Sequence, residues 1–242
     1  MAQAQNILPL GKRAKTVMII LALISLACVL IHNVPALISL CGEISKSSEE
    51  GKDVFATMFT DYGSYTYGRM TVNCVVKIVI SLCFFAVCLF ADRCPAFVIA
   101  LPYAVSLALS LTGSTFFASM ARGNDLIYRN ARMAFMTAIS DGFLQLVFIA
   151  VFLLSVTGVI RDRIAAKVSS VVLGCIPLCV SSFRAISSRI ESNRLLMSTA
   201  ADVEPELTSF LPTVLSLLPA LFVTLALLVF LFSVRRNPDE KE

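Results

Sequence analysis

The sequence predicts an all-α integral membrane protein, a bundle of six transmembrane helices arranged as three outward-opening hairpins. The chain is 57% hydrophobic and only 15% charged, whereas about a quarter of the residues in a soluble domain are charged. Its apolar residues fall into six stretches, each long enough to cross a hydrocarbon core of about 30 Å, which takes about 20 helical residues. The stretches cover residues 17–41, 72–91, 94–121, 133–160, 168–186 and 210–234.

The charged residues lie mostly between these stretches, and no intervening segment is long enough for an independent soluble domain. The longest, residues 42–71, has 30 residues. The sequence therefore predicts a cytoplasmic N-terminal segment (residues 1–16), a six-helix transmembrane domain (residues 17–234) and a short cytoplasmic tail (residues 235–242). This organisation leaves no room for a nucleotide-binding, kinase or soluble hydrolase domain within the chain.

The first two stretches form the first predicted hairpin. Lys12, Arg13 and Lys15 precede the first stretch, and cytoplasmic segments collect Lys and Arg, so we expect this end of the chain inside the cell. Residues 42–71 then lie outside. Their segment 53–62 has the apolar spacing of an interfacial helix, and the tyrosine-rich residues 62–67 follow it as interfacial anchors or, alternatively, as a ligand-covering lid. Cys41 and Cys74 lie at the facing ends of the two helices, as two thiols or, on an oxidising side, as a disulfide.

The second and third hairpins follow through tight inner turns at residues 92–93 and 161–167. The inner links concentrate their basic residues in short segments, whereas the outer segments are longer and carry most of the acidic residues. The positive-inside rule therefore favours an N-in, C-in orientation, and we expect the plasma membrane. The second outer loop, with Arg122, Arg129 and Arg132, argues against this orientation.

Prolines interrupt four of the predicted helices, the first, third, fifth and sixth. They are Pro35, Pro102, Pro177, Pro212 and Pro219. Each removes a backbone donor and can kink the helix, and membrane helices tolerate this where neighbours satisfy the freed carbonyls. Two interpretations stay open: the prolines set the shape of the bundle, or they form hinges and exposed carbonyls that line a cavity.

A few ionisable and amide side chains lie within the apolar stretches, where such groups are costly and mark functional sites. They are His32, Lys77, Asp141, Gln145 and Arg184. On the predicted topology all five lie in the outer half of the membrane, and Asp141 and Gln145, four residues apart, share one helix face. Either they line an outward-open cavity that binds a ligand, or Lys77 and Arg184 extend to the headgroups and Asp141 lies in the interface.

Two helices carry small residues at a spacing of four. The third has Ser106, Ser110, Ser114 and Ala118, and the sixth has Ser216, Ala220 and Thr224. Small residues let membrane helices approach closely, so these stripes are predicted helix-packing faces, within this chain or toward another subunit.

The sequence predicts no enzyme, no cofactor, no metal and no nucleic-acid partner. Phosphate-binding, dinucleotide, zinc-protease and hydrolase motifs are all missing, and the chain has a single histidine. The six cysteines other than Cys41 and Cys74 lie inside apolar stretches, where a thiol behaves as a small hydrophobe.

Two hypotheses about function follow. The first is a membrane transport component that binds a small polar solute from the outer side. Because the sequence offers neither an ATP site nor an ion relay, such a component would depend on an energising partner and associate with other membrane subunits. The alternative is a non-catalytic membrane subunit for assembly, regulation or immunity, which acts through helix–helix contacts.

Overall fold

The chain forms a helical protein in the computed structural model, which describes residues 10–49, 64–91, 93–120, 125–157, 159–160, 163–199 and 211–233. Within these residues there are six helices and no strand. The helices are α1 (Lys12–Glu49), α2 (Ser64–Leu89), α3 (Ala96–Met120), α4 (Asp125–Val156), α5 (Arg163–Thr199) and α6 (Leu211–Ser233). The all-α prediction is therefore confirmed, and each helix contains most of one predicted apolar stretch.

Four helices contain a segment that is long and apolar enough to cross a membrane. These segments are Lys12–Lys46, Met70–Leu89, Ile164–Glu191 and Leu211–Ser233. Within the described residues, α3 and α4 contribute the shorter apolar segments Phe97–Leu109 and Gly142–Val156. Large apolar side chains such as Ile38, Phe143 and Val172 are exposed on the outside of the helices, as a lipid-facing surface requires. The four candidate spans indicate an integral membrane protein, and the number of six spans stays a prediction.

The predicted connections were too long, because the helices continue past the apolar stretches. α1 continues to Glu49 and α2 begins at Ser64, so Tyr65 and Tyr67 are helical. α5 begins at Arg163, so the predicted turn at residues 161–167 includes helical Lys167. Apolarity marks only the part of a helix in lipid, whereas Lys, Glu and Arg are good helix formers outside it. The predicted interfacial helix at residues 53–62 lies outside the described residues.

The turn between α2 and α3 is tight, as predicted for this point of the chain. The Arg93 and Cys94 amides both donate to the Phe90 carbonyl, at 2.9 and 3.1 Å. α3 begins directly after Pro95, whose fixed φ suits the start of a helix. Cys41 and Cys74, predicted at the facing ends of the first two helices, lie inside α1 and α2 because both helices continue past the apolar stretches. Both are free thiols, Cys41 exposed and Cys74 buried.

The six helices form a closed ring. α1 packs most extensively against α6 and α2, and the other contacts join α2 to α3, α3 to α4, α4 to α5 and α5 to α6. The contact of α1 with α6 closes the ring between the first and last helices. Every consecutive pair packs, so the contacts do not single out three hairpins, and that grouping stays a prediction.

The buried core occupies one level of the ring, which we call the core layer. It consists of buried apolar residues within the ranges 18–22 of α1, 84–88 of α2, 99–100 of α3, 148–156 of α4 and 226–231 of α6, together with Leu10 before α1 and Ala91 in the turn after α2. The Phe152 ring lies between those of Phe148 and Phe230, with centroids 6.4 and 6.3 Å away. Aromatic pairs at such distances stabilise by about 0.5–1.5 kcal/mol beyond their burial.

α5 joins the core layer through a close approach at Gly174. A Cβ atom at this position would lie 3.0 Å from Phe148 Cε2 of α4 and 3.1 Å from Thr224 Cγ2 of α6. One further contact of α5 with α4 is polar, because the Ser155 and Ser170 hydroxyl oxygens are 3.4 Å apart. Glycine therefore lets three helices meet where any side chain would separate them.

Candidate functional site

A cavity of about 210 Å³ lies inside the ring. It is lined by α1, α2, α3, α4 and α6, and no described residue of α5 lines it. The lining residues are Ser25, Val29, His32, Asn33, Lys77, Ile80, Ser81, Phe84, Pro102, Tyr103, Ser106, Gln145, Leu215, Ser216, Pro219, Ala220 and Val223. Because five helices contribute to one space, the cavity is a feature of the assembled bundle and not of a single helix pair.

α1, α2 and α6 each present one face to this cavity, as the helical repeat of 3.6 residues requires. On α1 the lining positions are 25, 29, 32 and 33, and on α2 they are 77, 80, 81 and 84. On α6 they are 215, 216, 219, 220 and 223. These spacings of three and four place the polar groups of each helix on the side that faces the ring interior.

The cavity and the core layer are adjacent levels of the bundle. Along α1 and α3 the core-layer residues come first in the sequence, and along α2, α4 and α6 the cavity residues come first. The helices therefore alternate in direction, as short connections between packed helices demand. The aromatic core layer closes one side of the cavity, with the Tyr103 ring edge-on to Phe148 at a centroid distance of 6.2 Å.

Three of the five predicted ligand-binding residues meet at this cavity. His32 of α1, Lys77 of α2 and Gln145 of α4 all line it. Arg184 does not, because it is an exposed residue of α5, the helix that contributes no described lining residue. Asp141 belongs to α4, one turn before Gln145, and its side chain lies outside the described residues.

The described cavity wall contains one lysine and no Asp or Glu. The lysine is Lys77 of α2, and His32 of α1 lines the same space. The side chain of Asp141, one turn before Gln145 on α4, lies outside the described residues. Lys77 and Ser216 are exposed, so the cavity opens to the molecular surface and is not sealed.

Two of the predicted helix-interrupting prolines lie in the cavity wall, Pro102 on α3 and Pro219 on α6. Pro219 has no backbone N–H, so the Leu215 carbonyl loses its α-helical donor, and Leu215 also lines the cavity. The Ser25 hydroxyl donates to the Pro219 carbonyl over 3.3 Å and joins α1 to α6. This geometry matches the interpretation in which prolines expose carbonyls to a cavity.

The predicted packing stripes divide between the two levels. Ser106, Ser216 and Ala220 line the cavity, and Thr224 is buried against Gly174 in the core layer. The side chains of the remaining stripe residues, Ser110, Ser114 and Ala118, lie outside the described residues. Thr224 thus has a packing contact within this chain, whereas the other three small side chains leave space in the cavity wall.

Three hydroxyl residues of the site escaped the sequence-based prediction: Ser25, Ser81 and Tyr103. The helical repeat could have indicated two of them, since Ser25 lies seven residues before His32 and Ser81 lies four residues after Lys77. Serine is common in membrane helices and often bonds to its own backbone, so its presence alone carries little information. Tyr103 had no such signal.

A comparison of the chain with protein-family models, curated proteins and solved structures finds no match. The fold and the site by themselves define the class: an integral membrane protein whose helical bundle encloses a cavity of solute size. A cavity of 150 Å³ holds benzene, so 210 Å³ accommodates a molecule of about six to nine non-hydrogen atoms. The arrangement can bind a small solute through one cation, several hydroxyls, an amide and an imidazole.

Proposed function

We propose that the chain is a non-enzymatic membrane transport component that binds a small polar solute in the cavity from the outer side. The observation that carries the proposal is the meeting of His32, Lys77 and Gln145, from three helices, in one solute-sized space. Polar groups within membrane spans are costly and mark substrate pathways. Many exposed side chains of the spans are apolar, whereas these three polar groups line one cavity, His32 and Gln145 partly buried and Lys77 exposed at its opening.

The position of the cavity next to the core layer also favours transport over a purely structural role. The proposed binding space is open at the surface, and the aromatic side chains of the core layer pack against Tyr103 in its wall. Transporters that alternate between two accessible states place their binding sites near the middle of the bilayer and line them with interrupted helices. α3 and α6 are continuous helices, and each places one proline, Pro102 or Pro219, in the cavity wall, where the missing backbone donor weakens the helix.

The test is a binding screen on the purified full-length chain in neutral detergent. Small sugars, amino acids, carboxylates and amines are added one at a time, and the melting temperature is followed by circular dichroism. At least one solute class should raise the melting temperature, because a ligand that binds only the folded state stabilises it.

A pair of variants on α3 localises the binding. Ser106→Phe fills the cavity wall, whereas Val105→Phe adds the same ring at the neighbouring position, which is 41% exposed and does not line the cavity. Stabilisation by the solute should disappear in Ser106→Phe and persist in Val105→Phe. If the melting temperature responds to no solute class, or if both variants respond as the wild type does, the cavity is not a binding site.

An energising partner is part of the proposal. Affinity purification at native expression in mild detergent, followed by mass spectrometry, should recover a membrane subunit that hydrolyses ATP or couples to an ion gradient. Recovery of a membrane complex with no transport component would favour the alternative, a non-catalytic subunit for assembly, regulation or immunity. The alternative has less support, because Thr224 packs against Gly174 inside this chain and Ser106, Ser216 and Ala220 line the cavity.

The proposed orientation is N-in, C-in in the plasma membrane, with the cavity accessible from outside. A cysteine introduced at Ser47, near the end of α1, should react with an impermeant thiol reagent on intact cells. Cys41 lies on the same part of α1, so Cys41→Ser is combined with it and serves alone as the unlabelled control. Labelling that requires lysis would invert the orientation.

A further inference from the structure

We propose that the cavity selects a small oxyanion with an apolar body, of about the size of benzoate. This inference rests on the proposed function and assigns the solute class. It combines three observations: the charge of the described lining, its mixture of polar and apolar side chains, and the volume.

The first observation is the charge of the described cavity wall. Lys77 and His32 both line the space, and no acidic side chain is among the described lining residues. A charge in a membrane span is unfavourable unless a counterion pairs with it. An anion can pair with Lys77, the lysine among the described lining residues, whereas a cation would be repelled by it.

The remaining wall explains why the anion should carry an apolar body. Val29, Ile80, Phe84 and Val223 present hydrocarbon to the same space. The second oxygen of an oxyanion can accept hydrogen bonds from hydroxyl or amide donors of the wall, of which Tyr103 and Gln145 lie on the helices across the ring from α1. An inorganic anion would leave the apolar side chains of the wall in contact with water. A benzene ring fits the space, because 210 Å³ exceeds the 150 Å³ of a cavity that holds benzene.

Two sources can supply this chemistry, a free monocarboxylate in solution or the phosphate of a neighbouring lipid. Lys77 is exposed, so a headgroup could reach its ammonium from the membrane. The volume favours the free anion, because a phospholipid could place only its headgroup in a space of 210 Å³. The experiment therefore includes lipid-free detergent and nanodiscs of phosphatidylcholine as separate arms.

The probes are benzoate, benzamide and benzylamine, which share one ring and differ in charge. Their dissociation constants are measured by isothermal titration calorimetry on the full-length chain. Benzoate should bind about tenfold more tightly than either other probe, since a charge-assisted hydrogen bond is about twice as strong as a neutral one. Lys77→Gln should remove this preference and Lys77→Arg should keep it. Lys46→Gln, which removes an exposed lysine paired with Glu43 outside the cavity, should behave as the wild type.

Each outcome has a defined meaning. Equal affinities for benzoate and benzamide, or an unchanged preference in folded Lys77→Gln, overturn the anion assignment. If Ser106→Phe then abolishes binding of both probes, the proposed function stands and only the solute class is wrong. Benzoate binding in detergent that is lost in nanodiscs supports the oxyanion site with lipid phosphate as its occupant. Absence of benzoate binding in both arms overturns the inference, while the solute screen decides the proposed function separately.

Discussion

Replacing Gly174 with alanine should destabilise the bundle, although the same change usually stabilises a helix. The added Cβ would lie 3.0 Å from Phe148 Cε2 and 3.1 Å from Thr224 Cγ2, closer than ordinary contacts, which begin near 3.4 Å. The Phe148 ring cannot retreat freely, because it is fully buried and packs against both Tyr103 and Phe152.

The magnitude follows from two opposing effects. Overpacking of a well-packed core costs about 1–3 kcal/mol, whereas alanine gains up to about 1 kcal/mol of helix propensity over glycine. Gly42 of α1 is the matched control, because a Cβ atom added there would meet nothing within 4 Å and only the propensity gain remains. Gly42→Ala should therefore be more stable than Gly174→Ala by about 1–3 kcal/mol.

The assay is thermal unfolding in one detergent, followed by far-ultraviolet circular dichroism, since the chain has no tryptophan to report by fluorescence. In a chain of this size each kcal/mol shifts the melting temperature by about 2–4 °C. Gly174→Leu should lower it further than Gly174→Ala, whereas Gly42→Leu should stay near the wild type. A Gly174→Ala protein that melts at or above the temperature of Gly42→Ala would refute the close approach of α5 to α4 and α6.

Three further predictions use the same preparations. Phe152→Ala should cost about 3–5 kcal/mol, because it removes the ring that lies between Phe148 and Phe230 in the core layer. Phe183→Ala, at a side chain 75% exposed, should change the melting temperature little. Equal effects would contradict the assignment of the core layer. Ser25→Ala should cost about 0.6 kcal/mol, a typical value for an interhelical hydrogen bond in a membrane protein, here the one to Pro219; a loss of several kcal/mol in the same melts would mean that more than this bond is broken. Arg184→Gln should leave solute affinity in calorimetry unchanged, and a loss would place α5 in the site.

The sequence predicts the helices of this protein well, and their ends poorly. A membrane requires about 20 apolar residues in a row, so the six stretches stand out without any knowledge of packing. The ends of α1 and α5 lie among polar residues such as Lys46 and Arg189, where no hydrocarbon constrains the composition. There the helix continues on local propensity and tertiary contacts, which a hydropathy pattern does not report.

The site is predictable in part. The sequence shows which polar residues lie within a span, but it does not show which helices pack next to one another. His32, Lys77 and Gln145 stand out as costly groups, and all three line the cavity. Arg184 stands out for the same reason, yet it lies on α5, which contributes no described residue to the cavity wall. Ser106 satisfies the small-residue pattern of a packing face, but a small side chain at a wall leaves space as readily as it admits a neighbour.

The core layer also affects how easily ions could cross the bundle. Its α4 portion, residues 148–156, has a height of about 12 Å by the helical rise, and its interior is lined by phenylalanine and aliphatic side chains. An ion inside this apolar layer would lose its hydration, so the packed layer is a barrier to ions. Passage of a solute, which the proposed function requires, would need the Phe148, Phe152 and Phe230 rings to separate.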